Sequence, residues 1–500
     1  MTDTNLARLS YVRESTVGTT PSIASTTVMR EVRLTGEGLN FEINNTVSNE
    51  IRSDRMVADL IQVGAQNNGP LNFEQSFPLY RTYHDDFIAA ALYASWVNTP
   101  VKQNIVADTE VANVAAGTGV YTIDAGGASF NVSGLLVECS GFTNSENNGL
   151  FKVTSATATA ITTNNSSSVS ETAPPIGAMI KVVGYEAGSG DFSTNVTGGN
   201  NLASAANVLA SLGLAVGMMI KIGAGSGANA FATAACNTWG RITSVAAASI
   251  ALTNVNSGFG VDNGSGKTIR IWFGDYIKNG TTEQSFTIEK AFLGMGTPAY
   301  MTYTGCHVMQ WALDMQAGNI ITGSYGLLGF SHTTSASSLG SPYAASTEYI
   351  FAASNNVGRL AEAGSSIITG NNIAQRVSFS LNNNNRPKTG VGTLGLTGVG
   401  AGRCDVSGTL ECYFDDKAIY DKYVAGTETS LNTRMYAANP ITTSGKRAMT
   451  VEIPNMEFES APIPVSGPNA EVMVTLGWRA KKDSATSAHI IINRLPYYVD

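Results

Sequence analysis

Apolar and polar residues alternate along this chain in one short run after another. Phe286 and Ile288 alternate with Thr287 and Glu289, and Met309, Trp311, Leu313 and Met315 alternate with Gln310, Ala312 and Asp314. The same rhythm returns near the end, where Met449, Val451 and Ile453 alternate with Thr450 and Glu452, and Val472, Val474, Leu476 and Trp478 alternate with Met473, Thr475 and Gly477. A period of two places one set of side chains on a buried sheet face and the other set on the opposite face. The two blocks align without gaps, Phe286 on Met449, Met309 on Val472 and Met315 on Trp478.

A second echo supports a duplication. Leu39, Phe41 and Ile43 form one alternating run, then comes a polar stretch to Asp59, then a second run with Leu71 and Phe73. Asp85 and Asp86 precede Phe87, Ile88, Ala91 and Leu92, which share a helical face, so an aspartate is expected at the N-cap. Leu410 to Asp416, followed by Ile419, Tyr420, Tyr423 and Val424, repeats that strand, Asp-Asp and helix. The expected fold is mostly β: duplicated sandwich or barrel modules, each with a short flanking helix. Module one is read as residues 30–112 and 275–304, and module two as 305–500. The second module's counterpart of the long hairpin loop is expected near Gly329–Tyr349. Residues 1–30, rich in Ser, Thr and Arg, read as an N-terminal arm.

Residues 113–274 differ. Gly134 to Val137, Asn147 to Ser155 and Ala160 to Thr162 are echoed by Gly217 to Ile220, Thr238 to Ser244 and Ile250 to Thr253, with Val153 and Ile242 at the same place. This predicts an inserted pair of all-β repeats, a two-lobed decoration. Across all 500 residues only 14% are charged and 52 are Gly. That suits strands joined by tight turns and surfaces covered by other copies of the chain, and it does not suit a helical bundle.

The formal net charge is −8 and no Lys/Arg cluster stands out, so the chain is not expected to grip DNA. No apolar run reaches membrane-spanning length, and the start shows no apolar signal core. Five scattered cysteines without a CxxC predict free thiols and folding in a reducing cytoplasm.

Motifs that would carry chemistry are incomplete. Gly264 to Thr268 resembles a phosphate loop, but Val261 stands where its first Gly belongs and a strand-like run follows. The Gly-rich runs 223–227 and 398–402 have no following helix and read as turns. His84, His307, His332 and His489 have no His or Cys at metal-ligand spacing. His84 beside Asp85 and Asp86 reads as a helix start. No catalytic residue, cofactor or metal is expected. Glu50, Asp54 and Asp59 lie in the polar stretch between two strands and, taken alone, read as a solvated hairpin.

Several pieces resemble phage tail tube proteins. They are Arg33 to Asn40, Thr46-Val-Ser-Asn-Glu-Ile-Arg-Ser-Asp-Arg55 with Asp59 to Ile61, Gly69 to Glu74, Asp85 to Leu92, Asn279 to Lys290 and Gly408 to Asp416. The run through Ser48, Glu50, Arg52, Asp54 and Arg55 is the most specific of them. The resemblance implies a structural virion protein of a long-tailed bacteriophage, made in the host cytoplasm and placed in the tail. Its modules would ring up, strands would join into an inner barrel, and rings would stack into a conduit for DNA ejection. Thr46, Ser48, Glu50, Arg52, Asp54 and Arg55 would then form a hairpin bracing the next ring. Glu42, Glu50, Asp54 and Asp59 would be candidates to face the lumen. Partners would be further copies of the chain, three per pseudo-sixfold ring or six per ring, and other tail proteins at the tube ends. DNA would pass without tight binding. The Ser/Ala-rich, nearly uncharged stretch 331–348 does not match the first hairpin. A β-rich receptor- or carbohydrate-binding adhesin is the other reading, and aromatic rings clustered on one lobe of the insertion would favour it.

Overall fold

The computed structural model describes residues 3–24, 27–105, 110–224, 227–342, 345, 347–442, 444–465 and 467–500, so part of the run 223–227 lies outside the described residues. The chain is mostly β, as its alternation predicts. We number the strands of the main body in chain order. They are β1 (Ala7–Arg13), β2 (Asn40–Val47), β3 (Leu60–Glu74), β4 (Phe286–Phe292), β5 (Ala299–Gln316), β6 (Thr322–Gly329), β7 (Ser331–Ser335), β8 (Val357–Glu362), β9 (Ala374–Asn382), β10 (Asp405–Tyr413), β11 (Thr429–Ala438), β12 (Lys446–Ser460), β13 (Met473–Ala480) and β14 (Ile491–Tyr498). Two short helices flank them, α1 (Tyr83–Ala91) and α2 (Ala418–Val424).

Eight of these strands make one antiparallel wall in the order β2-β3-β6-β5-β9-β10-β13-β12. The order is one four-strand pattern used twice: β2-β3-β6-β5, then β9-β10-β13-β12. The backing sheet repeats as well. β1 pairs with β4, which pairs with the first half of β5, which pairs with β7. In the same way β8 pairs with β11, which pairs with the first half of β12, which pairs with β14.

Bulges fix the correspondence residue by residue. A register shift between Phe286 and Ile288 against β5 matches one between Thr429 and Leu431 against β12. A shift between Val308 and Gln310 matches one between Phe458 and Ser460. A bulge adds an unpaired residue and bends the strand, which lets β5 and β12 each leave the backing sheet and enter the wall.

This topology departs from several sequence expectations. The boundary drawn at 304/305 falls inside the continuous strand β5. The hairpin matching β2–β3 is β9–β10, with its loop at 383–404 and not near Gly329–Tyr349. Residues 7–13 of the expected arm are a strand, with Tyr11 fully buried, because Leu9 and Tyr11 share one strand face and turn into the chain's own core.

The wall's inner face holds that core. Leu71, Phe73, Tyr325, Trp311, Leu313, Phe379, Leu410, Leu476 and Trp478 meet the backing sheet. Gly323 leaves room for a ring: a Cβ there would lie 2.5 Å from Phe73.

A second sheet spans Val101–Gln103 to Arg270–Trp272 and has its own core, including Val137, Val153, Ile180, Ile220, Ile242 and Ile271. Its two lobes pair alike. Leu135–Ser140, Gly149–Ala156 and Ala160–Thr163 pair in order with a shift between Val153 and Ser155. Met219–Ile222, Trp239–Val245 and Ser249–Thr253 do the same with a shift between Ile242 and Ser244. Its exposed large apolar side chains, among the described residues, are aliphatic: Val169, Ile176, Val196 and Val261.

Candidate assembly surface

The wall's outer face is set by the other half of the alternation. β5 presents Gln310, Ala312 and Asp314, β9 presents Arg376, Ser378 and Ser380, and β10 presents Ser407 and Thr409, together lining a shallow trough of about 670 Å³. No large aliphatic side chain belongs to this half of the pattern across β9 and β10. Carboxylates outnumber cations on it: Glu42, Glu74, Asp314, Asp405, Glu411 and Glu459 against Arg376 and Arg479. Arg376 grips Asp314 through two bonds of 2.7 and 2.9 Å, and Arg479 binds Asp405 and Glu459. At the rim Lys481 binds Glu457 and Glu428. Sequence reasoning missed Asp314, Asp405 and Glu411 as members of one surface. Asp314 and Glu411 fall in the polar phase of runs already read as strands, whereas Asp405 precedes such a run and joins the surface only through pairing with Asn382.

The predicted site residues separate into two places. Glu42 lies on the wall's polar face, where its carboxylate accepts a hydrogen bond from Asn68 at 2.7 Å. Thr46 is on β2 beyond the wall, and Ser48, Glu50, Arg52, Asp54, Arg55 and Asp59 lie in or beside the loop that joins β2 to β3. That hairpin projects. Ile51 is 102% exposed, and Met56, Val57, Leu60, Ile61 and Val63 are also exposed. Arg52 forks onto Asp54 at 3.0 and 2.6 Å, which holds that carboxyl below its ordinary range, together with the Met56 amide. Arg55 takes a left-handed φ of 61° at the tip.

The loop of β9–β10 behaves differently. Its short ribbon, Arg386–Lys388 with Gly398–Gly400, is not the tight turn expected for 398–402, because the glycines pair as a strand. Leu396 and Val399 then pack on Leu328, Met309 and Phe330, and the Leu394 carbonyl accepts from the Ala65 amide at 2.7 Å. This loop closes on its own chain.

Candidates for chemistry resolve into structure. His84 is buried against Phe73 and Tyr83, its Nδ1 lies 2.9 Å from the Tyr325 hydroxyl, and burial pushes its pKa down to about 3. Thr82, not an aspartate, holds the N-cap position of α1, its hydroxyl donating to the Leu79 carbonyl at 2.8 Å, and Asp85 and Asp86 occupy the first turn. Asp85 accepts a hydrogen bond from the Arg81 amide at 2.9 Å and also meets a buried cation: Arg494 binds Asp85 and Asp275 at 2.6 Å each, and Lys181 binds Asp275 at 2.9 Å. Burial raises Asp85, while Asp275 is held below its usual range by Lys181 and Arg494 despite burial. The cluster ties the inserted sheet to the body. Leaving such a charge unpaired costs about 3–5 kcal/mol. Gly264 and Gly266 have φ of 61° and 69° and form a turn before strand Arg270–Trp272. All five cysteines are free. Among the described residues no group of three metal-ligating side chains occurs, and no helix is long and apolar enough to cross a membrane.

No curated protein matches the chain. A family model described as phage tail tube protein matches residues 4–480, nearly the whole chain. The chain belongs to that family, whose members are structural proteins of the virion tail.

Proposed function

We propose that this tail tube protein polymerises into stacked rings whose walls form a conduit for DNA on its way into the host. One observation carries the reading: an eight-stranded wall built as two equal halves and pairing with no further strand at β2 or beyond Ser460 among the described residues. A sheet with free edges is stable when closed on neighbours, and closure removes the edges. Each chain would supply two modules. The first would run from the start through β7, interrupted by the insertion, and the second from β8 to the end. Three chains would make a pseudo-sixfold ring. Rings would stack head to tail through the β2–β3 hairpin, a contact that does not close and so gives a tube. The insertion would decorate the outside, and other tail proteins would meet the tube ends.

The polar, acid-rich face would line the bore and repel phosphates. Electron microscopy of purified protein tests the reading: hollow rods with threefold modulation support it, and monodisperse globules at high concentration would end it. Reversing Glu42 and Glu411 to Lys should make rods retain DNA in a salt-dependent way. Rods that retain no more DNA than the parent would remove the lumen assignment.

A further inference from the structure

We propose that the β2 edge receives residues 460–465 of a second copy in the register that β5 and β9 already use inside one chain, and that Glu37 and Lys290 keep this edge closed until it does. The inference rests on the ring reading and adds to it a residue-level seam and a latch.

The internal seam is the template. β5 and β9 pair from Gln310↔Asn382 through Leu313↔Phe379 to Gln316↔Arg376. The matched bulges place Gln310 on Ser460 and Leu313 on Ile463. Pairing with β10 and β3 places Asn382 on Glu42 and Phe379 on Leu39. Carried across, Ser460 meets Glu42 of the second copy, Ala461 meets Phe41, and Ile463 meets Leu39. The strands would run antiparallel, as at the internal seam.

The tail of β12 is built for this. Thr475 donates its amide to the Pro462 carbonyl at 3.2 Å, so the wall's ladder continues past Ser460. In an antiparallel strand successive residues point their amides to opposite sides. Pro462 therefore directs its missing N–H toward β13, and Ala461 and Ile463 direct theirs outward. The prolines cost nothing at the seam. Val465, 86% exposed, takes the place held at the internal seam by buried Met315.

The β2 edge is occupied in a way its counterpart is not. At Phe379 the outward groups face β5. At Leu39 the amide donates to Glu37 Oε2 at 2.9 Å, and the carbonyl accepts from Lys290 Nζ at 2.9 Å. Lys290 and Glu37 also bind each other at 2.7 Å. The internal repeat has Val377 and Thr433 at these two positions. The charged pair thus stands only at the edge that lacks an internal neighbour, filling both groups a new strand needs. Charges on an edge strand are a known guard against premature pairing.

Disulfide trapping tests the seam in a Cys404→Ser background, since the other cysteines are buried. Ser460→Cys with Glu42→Cys should cross-link adjacent chains in rods. Ser460→Cys with Asn40→Cys or Asn44→Cys should give about tenfold less, because bridging tolerates little extra Cα separation. Equal or higher yield at a shifted pair, in visible rods, overturns the register and leaves the tube standing; absence of rods from the unmodified protein overturns the tube reading itself. If the cysteine variants do not assemble, hydrogen exchange on the unmodified protein decides. The Phe41, Ala461 and Ile463 amides should slow on polymerisation, and unchanged exchange overturns the seam. For the latch, Glu37→Gln and Lys290→Met should speed Leu39 amide exchange in the monomer and shorten the assembly lag about tenfold. Unchanged exchange, or a lag no shorter, overturns the latch.

Discussion

The β2–β3 hairpin and the β9–β10 hairpin hold the same place in two halves of one wall, yet they spend their apolar residues differently: the second leaves Val391 and Leu394 exposed but buries Leu396 and Val399. The first carries Ile51, Met56, Val57 and Leu60 outward on a projecting arm. The second turns Leu396 and Val399 back onto Leu328 and Met309. A loop that covers its own sheet contributes to monomer stability. A loop that exposes large aliphatics has no stability to offer the monomer, and its apolar surface is of use only to something that covers it. One sandwich unit, present twice, therefore serves two ends: the second half seals the chain, and the first half reaches beyond it.

Replacing residues 49–58 by a two-residue turn should abolish rods in electron micrographs while leaving the monomer's melting temperature within about a degree or two, since the removed segment is solvated. A melting loss of many degrees would show that the first hairpin also supports its own chain and would erase the contrast. Leu396→Ala should cost about 2–3 kcal/mol in denaturant titration, in the range for a buried Leu, and the matching Ile51→Ala less than about 0.5 kcal/mol. Equal costs would break the comparison from the other side.

Acid should also find the first half before the second, because His84 is fully buried there while His489 of the second half is only partly buried. The folded His84 binds a proton near pH 3, the unfolded chain near its ordinary value of about 6.5. Stability is thus intact above that ordinary value and drains as pH falls, by roughly 2 kcal/mol at pH 5. His84→Phe should flatten that limb, read by melts across pH. An unchanged slope would place the acid sensitivity elsewhere. The smallest effect is expected from Arg52→Ala: its pair with Asp54 is exposed, so the monomer should change by less than about 0.5 kcal/mol, with any larger consequence confined to rod formation.

Much of the fold was legible because period-two runs announce strands wherever they fall. Phe41 to Ile43, Leu71 to Phe73 and Met309 to Met315 are strand residues in the structure. The matching of one half to the other was not legible in the same way. A period-two pattern fits any other alternating run whose phase agrees with it, so Met309 could be laid on Val472, whereas the bulges put it on Glu459. A bulge is a pairing event between distant segments and leaves no mark in local alternation. The same reason hid the second hairpin: 383–404 is rich in Gly and Asn, and only the pairing of Arg376 with Glu411 and Asn382 with Asp405 reveals its place. Glu42 was found on the polar face because it alternates with Phe41 and Ile43. Asp314 and Asp405 became part of the same surface only through partners 62 and 74 residues away in sequence.

The junction of β5 with β9 has a thermodynamic consequence. In a closed ring of this chain every second seam would be unimolecular, formed when the polypeptide folds and indifferent to protein concentration. Only the alternate seams would obey mass action. Dilution could then shed whole chains but never half a wall, and the threshold concentration for growth would report on one kind of contact alone.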